Sequence, residues 1–535
     1  MKKIISLMLA LALVLSLCSA LAEDVQTINA CIGSQPETLD PQLNSASDGS
    51  NYIKHLFEGL MKYGWEGEGI VLGAADNYTV SEDGLVYTFH IRDNAKWSDG
   101  QDLTAEDFEY TFKRLVNPDT AAPYALDMGK YLVNGAAIVN GQKSVDELGV
   151  KVIDSKTIEL TLENPCAWFL EIMAFPTYYP VRKDIVEANG AAWVTKPETI
   201  IGNGAYVVES YTMDEELVMV PNANYYDVDK LVCKRICWKF SSDDNAKLAA
   251  LQNGEIDWSD GFPTEEIENL MAQGLFYSEP QLGTYYVNIN NAKEPFTDVR
   301  VRKAFQLAID PEYMARVCTQ NTYLPAADFV GGGFMQNDGS DFGDFETLID
   351  RTKYEENVAE AKRLLAEAGY PNGEGFPTVS YCTNPTSIHI ATAEALAYQW
   401  KENLGVNVEV EQMEWNVFLA ARRHGDHFLA RDGWVADYGD PSNLLDLFVT
   451  RANDESNNTT FYSNEEYDKI IAAAAATTDL NEHFDLLHKA EKLAIADEAA
   501  CIPVYYYATT FIAIPEIKGV TTYATGEKLF MMASK

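Results

Sequence analysis

The sequence predicts an α/β protein of more than one lobe. Helical and strand patterns intermix from end to end, and neither is confined to one part. At 535 residues the chain exceeds what one hydrophobic core supports. No repeat, low-complexity tract or Pro/Ser linker interrupts it, so composition marks no boundary.

The first element is a leader. Met1-Lys2-Lys3, an apolar run over 4–17 and Ala20-Leu21-Ala22 give a basic start, a short hydrophobic stretch and an A-x-A site, so residues 1–22 read as a secretory signal peptide. The run is too short to span a bilayer comfortably. Cys18 offers a second reading, a lipid anchor, but Leu17 stands before it where lipoprotein signals carry a small residue. The chain is therefore expected to be exported, to the periplasm or the cell surface.

Turn signals at Glu82-Asp83-Gly84 and Ser98-Asp99-Gly100 bracket a strand over 85–91. Thr104, with Asp107 three residues on, begins a helix whose Phe108, Phe112 and Leu115 share one face. Residues 151–162 alternate as one strand, and 231–240 reads as another. Helices are expected over 298–309, 354–368, 388–404 and 464–476, and strands over 379–383, 406–412 and 502–507.

Composition sets the classes aside quickly. The net charge of −41 becomes −43 when Lys2 and Lys3 leave with the leader, which repels nucleic acid and anionic lipid. Of eight cysteines, seven remain after cleavage; they are scattered, odd in number and without C-x-x-C spacing, so neither a disulfide scaffold nor a zinc site is expected. Cys233 and Cys237, four apart on a strand, would stand roughly 13 Å apart, too far to bridge. The seven histidines are spread widely, and no metal or cofactor is expected.

The most informative stretch runs from Trp415 to Tyr438: W-N-V-F-L-A-A-R-R-H-G-D-H-F-L-A-R-D-G-W-V-A-D-Y. It sets one acid, Asp437, and three cations, Arg422, Arg423 and Arg431, among tryptophans and glycine. Such a set suits a zwitterion with separated amine and carboxylate. The same residues also read as a surface helix, a turn and a buried strand carrying ordinary charges.

This stretch resembles the binding segment of the extracytoplasmic solute-binding proteins of ATP-driven peptide importers, specifically the oligopeptide-binding branch. Other landmarks follow the same family in order: Pro36-Glu37-Thr38-Leu39-Asp40-Pro41, Leu56-Phe57-Glu58-Gly59-Leu60, Lys96-Trp97-Ser98-Asp99-Gly100, Asn203-Gly204-Ala205-Tyr206, Pro221 to Tyr226 and Pro295 to Ala304. The resemblance covers essentially all of the mature chain. It implies a type II (class C) periplasmic-binding-protein-like fold, two main lobes plus an extra one, closing on ligand. Lobe I would comprise 23–61, 182–282 and 509–535, lobe II 62–181, and lobe III 283–508. Closure would turn on the crossings at 59–63 and 179–183 and on strands near Gly283 and Tyr507.

It also implies roles. Asp437 would take a peptide's amine, and Arg431, Arg422 and His389 its carboxylate, different ones serving different lengths. Trp415, Tyr124 and Tyr507 would line the pocket. The backbones of Gly433-Trp434-Val435 and of Thr284 to Asn288, with Tyr285 between, would pair with the extended ligand. The implied partners are an oligopeptide and a membrane permease, the protein itself being a monomer. The sequence departs from the pattern at Gly283 and Val435, where relatives carry a disulfide. It departs again near Gly49, where an acid is expected and Asp48 is the substitute, and over 324–342, which lacks a lysine. Two alternatives remain. One keeps the fold but binds a cell-wall peptide, a dipeptide, an opine, nickel or haem. The other is an exported hydrolase using Asp437 and Asp440 as an acid/base couple.

Overall fold

The computed structural model describes residues 26–535 except 167, 452–455 and 478. The expected leader, with Cys18, lies outside the described residues. Strand β1 (Ile28–Cys31) is buried from its first residue, and helix α1 (Ser47–Leu56) packs over it through Tyr52 and Ile53. A four-stranded antiparallel sheet follows, made of β2 (Ala75–Val80), β3 (Val86–Ile91), β4 (Val150–Asp154) and β5 (Thr157–Thr161) in the order β2-β3-β5-β4. Helix α2 (Ala105–Val116) covers it, started by the expected Thr104/Asp107 capping box and seated by Phe108, Phe112 and Leu115. The single strand expected over 151–162 is instead the β4–β5 hairpin. Asp154 accepts the Lys156 N–H at 2.9 Å, an Asx turn that the period-two pattern does not register.

The chain then returns with β6 (Tyr206–Thr212), β7 (Glu216–Pro221), β8 (Ile236–Lys239), β9 (Trp258–Ser259) and the 14-residue β10 (Phe276–Ile289). Of the expected 231–240 strand only Ile236–Lys239 forms β8, so Cys237 lies in it and Cys233 precedes it. The seven described cysteines are all buried and free, packed as small apolar residues.

The remaining elements alternate: α3 (Val299–Leu307), α4 (Tyr354–Glu367), β11 (Val379–Thr383), α5 (Ser387–Leu404), β12 (Val408–Gln412), α6 (Trp415–His424), β13 (Leu429–Val435), α7 (Glu465–Ala476), α8 (Leu480–Glu491) and β14 (Cys501–Ala513). One large sheet joins first and last parts in the order β12-β11-β13-β10-β14-β9-β1-β8-β7-β6, with the short Leu324–Pro325 strand added on β14. At its β12 end both faces are covered. Tyr285, Val287 and Ile289 point into a core with Phe305, Leu365 and Trp400, while Tyr286 points into another with Phe329, Leu444 and Phe484. Burial on both faces with period two is what a sandwiched sheet requires.

At its other end the large sheet shares a single hydrophobic core with the four-stranded sheet. The crossings at 59–63 and 179–183 run through that core. Tyr179 is buried, Gln42 donates to the carbonyls of Thr177 and Tyr179 at 3.0 Å, and a Cβ at Gly59 would stand 2.6 Å from the Met173 carbonyl oxygen. The link to the α3–β14 region is different. Among the described residues only β10 and β14 run through as strands, and their ladder breaks between Pro280 and Thr284.

The four-stranded-sheet region also meets the α3–β14 region across a cleft. Lys130 pairs with Asp446, Asn457 donates to Asp127 at 2.7 Å, and the Gly439 N–H donates to Glu171 at 2.8 Å. Trp168 stacks on Tyr438 at 6.0 Å and lies 5.1 Å from the His483 ring, while the Tyr131 and Tyr438 hydroxyls bond at 2.7 Å.

Candidate functional site

Helix α6 and strand β13 line the cleft. Glu414 caps α6 by accepting the Asn416 and Val417 N–H groups at 2.9 and 3.3 Å, and Gly425 (φ 75°) ends it. β13 then lies between β11 and β10, but unequally. Its ladder with β10 runs from Leu429 to Val435, whereas that with β11 covers only Leu429 and Ala430. Among the described residues, the far edge of β13 beyond Ala430 has no strand partner. Gly433 is required there, because a Cβ would stand 2.0 Å from the Tyr507 hydroxyl.

The expectation that Thr284 to Asn288 pair with a ligand is corrected. β10 is laddered to β13 on one side and to β14 on the other over these residues, and Tyr285 and Asn288 are fully buried. Their backbone groups have partners and no edge is open. Gly283 and Val435, the positions of the missing staple, face each other in the ladder, and Gly283 lets the strands close tightly.

At one end of the open edge stands Arg431. Its Nη2 meets His389 Nε2 at 2.7 Å, and its guanidinium lies 5.7 Å from the Trp415 ring and 6.0 Å from Phe418. Burial and the neighbouring Arg431 hold His389 well below the usual imidazole range, so it stands neutral. Among the described residues no carboxylate pairs with Arg431. Arg423 is exposed. Arg422 is paired with Asp432, which also accepts from Asn288 and Thr459 at 2.9 Å each and from the Gly433 N–H at 2.8 Å. Burial would raise the Asp432 carboxyl, but Arg422 and these donors bring it below the usual range.

At the other end stands Asp437. Asn443, which the sequence reading passes over, organises it: its Oδ1 accepts the Asp437 N–H at 3.0 Å and the Trp434 indole N–H at 2.8 Å, and its Nδ2 donates to Asp437 Oδ2 at 3.1 Å. Burial pushes the Asp437 carboxyl up to about 7, against the Asn443 hydrogen bond. Burial and the Asp437 carboxylate raise the Tyr124 phenol well above its usual value, so Tyr124 faces the acid from across the cleft. Asp440, the second acid of the hydrolase reading, is turned to His483 at 3.1 Å and to the Ser442 N–H at 2.9 Å. Asp48 lies beside Gly33, its carboxyl raised to about 6 by burial. The 324–342 segment forms a wall, with Phe329, Val330 and Phe334 buried and Glu491 accepting the Phe329 and Val330 N–H groups at 2.9 and 2.7 Å. The described residues hold no group of three or more His, Cys, Asp or Glu poised for a metal.

Residues 69–456 match the family described as bacterial extracellular solute-binding proteins, family 5 middle. The chain is 36% identical over 503 residues to the periplasmic oligopeptide-binding protein OppA of Salmonella typhimurium, covering 93% of this chain and 90% of that one. Its fold matches Haemophilus influenzae OppA in complex with RPPGFSPFR at TM-score 0.84 and 30% identity, over 94% and 99% of the two chains. It matches the Escherichia coli murein tripeptide-binding protein MppA at TM-score 0.84 and 33% identity, over 94% and 96%. Against MppA in its unliganded open form the score drops to 0.66 at the same identity, so the lobes here do not take the open arrangement. The fold is the type II periplasmic-binding-protein fold, and the chain belongs to the family 5 bacterial extracellular solute-binding proteins.

Proposed function

We propose that this protein captures oligopeptides in the cleft and hands them to a membrane permease driven by ATP. One observation carries the reading: an organised acid and an uncompensated cation stand at opposite ends of an open strand edge. Asp437 and Arg431 are six residues apart, about 20 Å if fully extended, and long side chains shorten the gap to that of a short peptide. The free edge at Gly433 to Val435 supplies main-chain pairing that tolerates any sequence. Tyr124, Trp415 and Tyr507 provide apolar walls with polar tips.

The reading places the chain outside the cytoplasm as a monomeric binding protein. No helix among the described residues is long and apolar enough to cross a membrane. The likeness to MppA supports cell-wall peptides as a second ligand class, since they present the same kinds of terminal charge.

Calorimetry with tri- to pentapeptides tests both classes. Free peptides should bind, and N-acetylated ones should bind at least a hundredfold more weakly. Asp437→Ala should cost about 3–5 kcal/mol by leaving the ammonium without its partner. Equal affinity for acetylated and free peptides would remove Asp437 from its role.

A further inference from the structure

Arg422 and Arg431 flank one aromatic ring: their guanidiniums lie 5.0 and 6.0 Å from Phe418. By position alone either could receive a ligand carboxylate. Asp432 separates their fates. Strand alternation sends Arg431 and Asp432 to opposite faces of β13. Asp432 emerges beside Tyr286, its cross-strand partner, and within reach of Asn288. The carboxylate is 4% exposed there and accepts from Asn288, Thr459 and the Gly433 N–H. Arg422, on the helix that precedes the strand, reaches this buried acid and pairs with it. A ligand carboxylate that claimed Arg422 would strand Asp432 as a buried charge, which proteins strongly resist.

We infer that Asp432 is a specificity-determining residue that withholds Arg422 from the ligand, leaving Arg431 with His389 as the sole carboxylate receptor opposite Asp437. The inference rests on the peptide-binding reading and deepens it. With one amine receptor and one carboxylate receptor on a rigid frame, the protein selects a single peptide length. His389 adds no second cation, because Arg431 and burial keep it neutral.

The experiment is a titration of oligoalanine peptides of two to six residues against the native protein, Asp432→Asn and Arg422→Gln, with melting curves to verify folding. The native protein should prefer one length, with binding at least tenfold weaker one residue to either side. Asp432→Asn keeps the shape of the side chain but frees Arg422, and should raise affinity for a neighbouring length about tenfold or more. Arg422→Gln should subtract no length class, and it carries the test alone if Asp432→Asn fails to fold. A native profile that is flat across lengths overturns the inference. So does an unchanged profile in folded Asp432→Asn, or the loss of one length class in Arg422→Gln. Failure of every peptide to bind the native protein overturns the peptide reading itself, and this inference with it; a flat profile of real binding leaves that reading intact.

Discussion

Asp437 and Asp432 are two carboxylates on one segment with opposite environments. Burial, with Asp127 and Glu527 adding to it and Asn443 and Lys54 opposing, pushes Asp437 up to about 7, whereas Asp432 is held down by Arg422 and three donors. The sign for Asp437 follows from burial. Its folded value lies above its unfolded one, so the unliganded fold prefers the neutral acid and loses stability from this group as pH rises from about 4 to 7. A bound ammonium reverses that preference. Peptide affinity should therefore climb up to tenfold per pH unit below 7, level off, then fall above about 8 as the amine itself deprotonates. Calorimetry at pH 6 in buffers of different ionisation heat should show proton release on binding, and Asp437→Asn should abolish the acid limb. Asp432 carries the other sign: its stabilisation is present above the usual carboxylate range and disappears as pH falls through its lowered value. Asp437 was legible because its motif is local. Asn443, six residues on across a turn, was not, and the Asp432–Arg422 pair was hidden because helix and strand had to be folded side by side to reveal it.

Elements were read best where they are bounded by chemistry. The 379–383 strand and the helix capped by Thr104 sit where pattern and capping put them. The 502–507 strand is instead the first half of the longer β14, because Ala508 to Ala513 continue towards the core shared with the four-stranded sheet with little alternation to announce them. The 324–342 segment shows why a loop without pattern can still be rigid. Burial raises Glu491 of α8 to about 8, so at neutral pH it is an uncharged acid whose carbonyl oxygen accepts two backbone N–H groups. Glu491→Ala would orphan both and should destabilise the protein by about 2–4 kcal/mol. Glu491→Gln keeps the acceptor and should be at least as stable as native at pH 7, since only the glutamate must take up a proton to fold. Between about pH 5 and 8 the native protein should lose stability, because the unfolded chain ionises while the folded acid keeps its proton, and the loss should level off above 8; the glutamine variant should show no such slope. Melting temperatures across pH 6–9 check all three outcomes.

At the scale of the molecule, the region of the four-stranded sheet and the first part of the large sheet share one core, so they are expected to move as a body. The break in the β10–β14 ladder between Pro280 and Thr284 is then the pivot, rather than the buried crossings at 59–63 and 179–183. Trp168 packs against Tyr438 and His483 on the far side of the cleft, and this contact should hold the closed form together. Tyr438 adjoins Asp437, so one short segment touches both the proposed amine site and the Trp168 contact. Adding peptide should shrink the radius of gyration in small-angle scattering. Trp168→Ala should lessen the shrinkage that peptide brings and weaken all peptides by roughly tenfold or more, without altering the discrimination against N-acetylation. A Trp168→Ala protein with native affinity and native scattering would show the contact to be passive.

The sheet order carries one more consequence, in time rather than space. β1 is flanked by β8 and β9, β9 leans on β14, and α1 is tied to the last residues through Asn51 with Lys528, Lys54 with Glu527, and His55 with Phe530. A chain synthesised from its amino terminus therefore makes the first wall of this lobe early and the piece that locks it last. Those contacts span several hundred residues, the arrangement that slows folding most. The lobe that begins the sequence should be the last to become native, and trimming the final 25 residues should leave it unfinished instead of merely shorter.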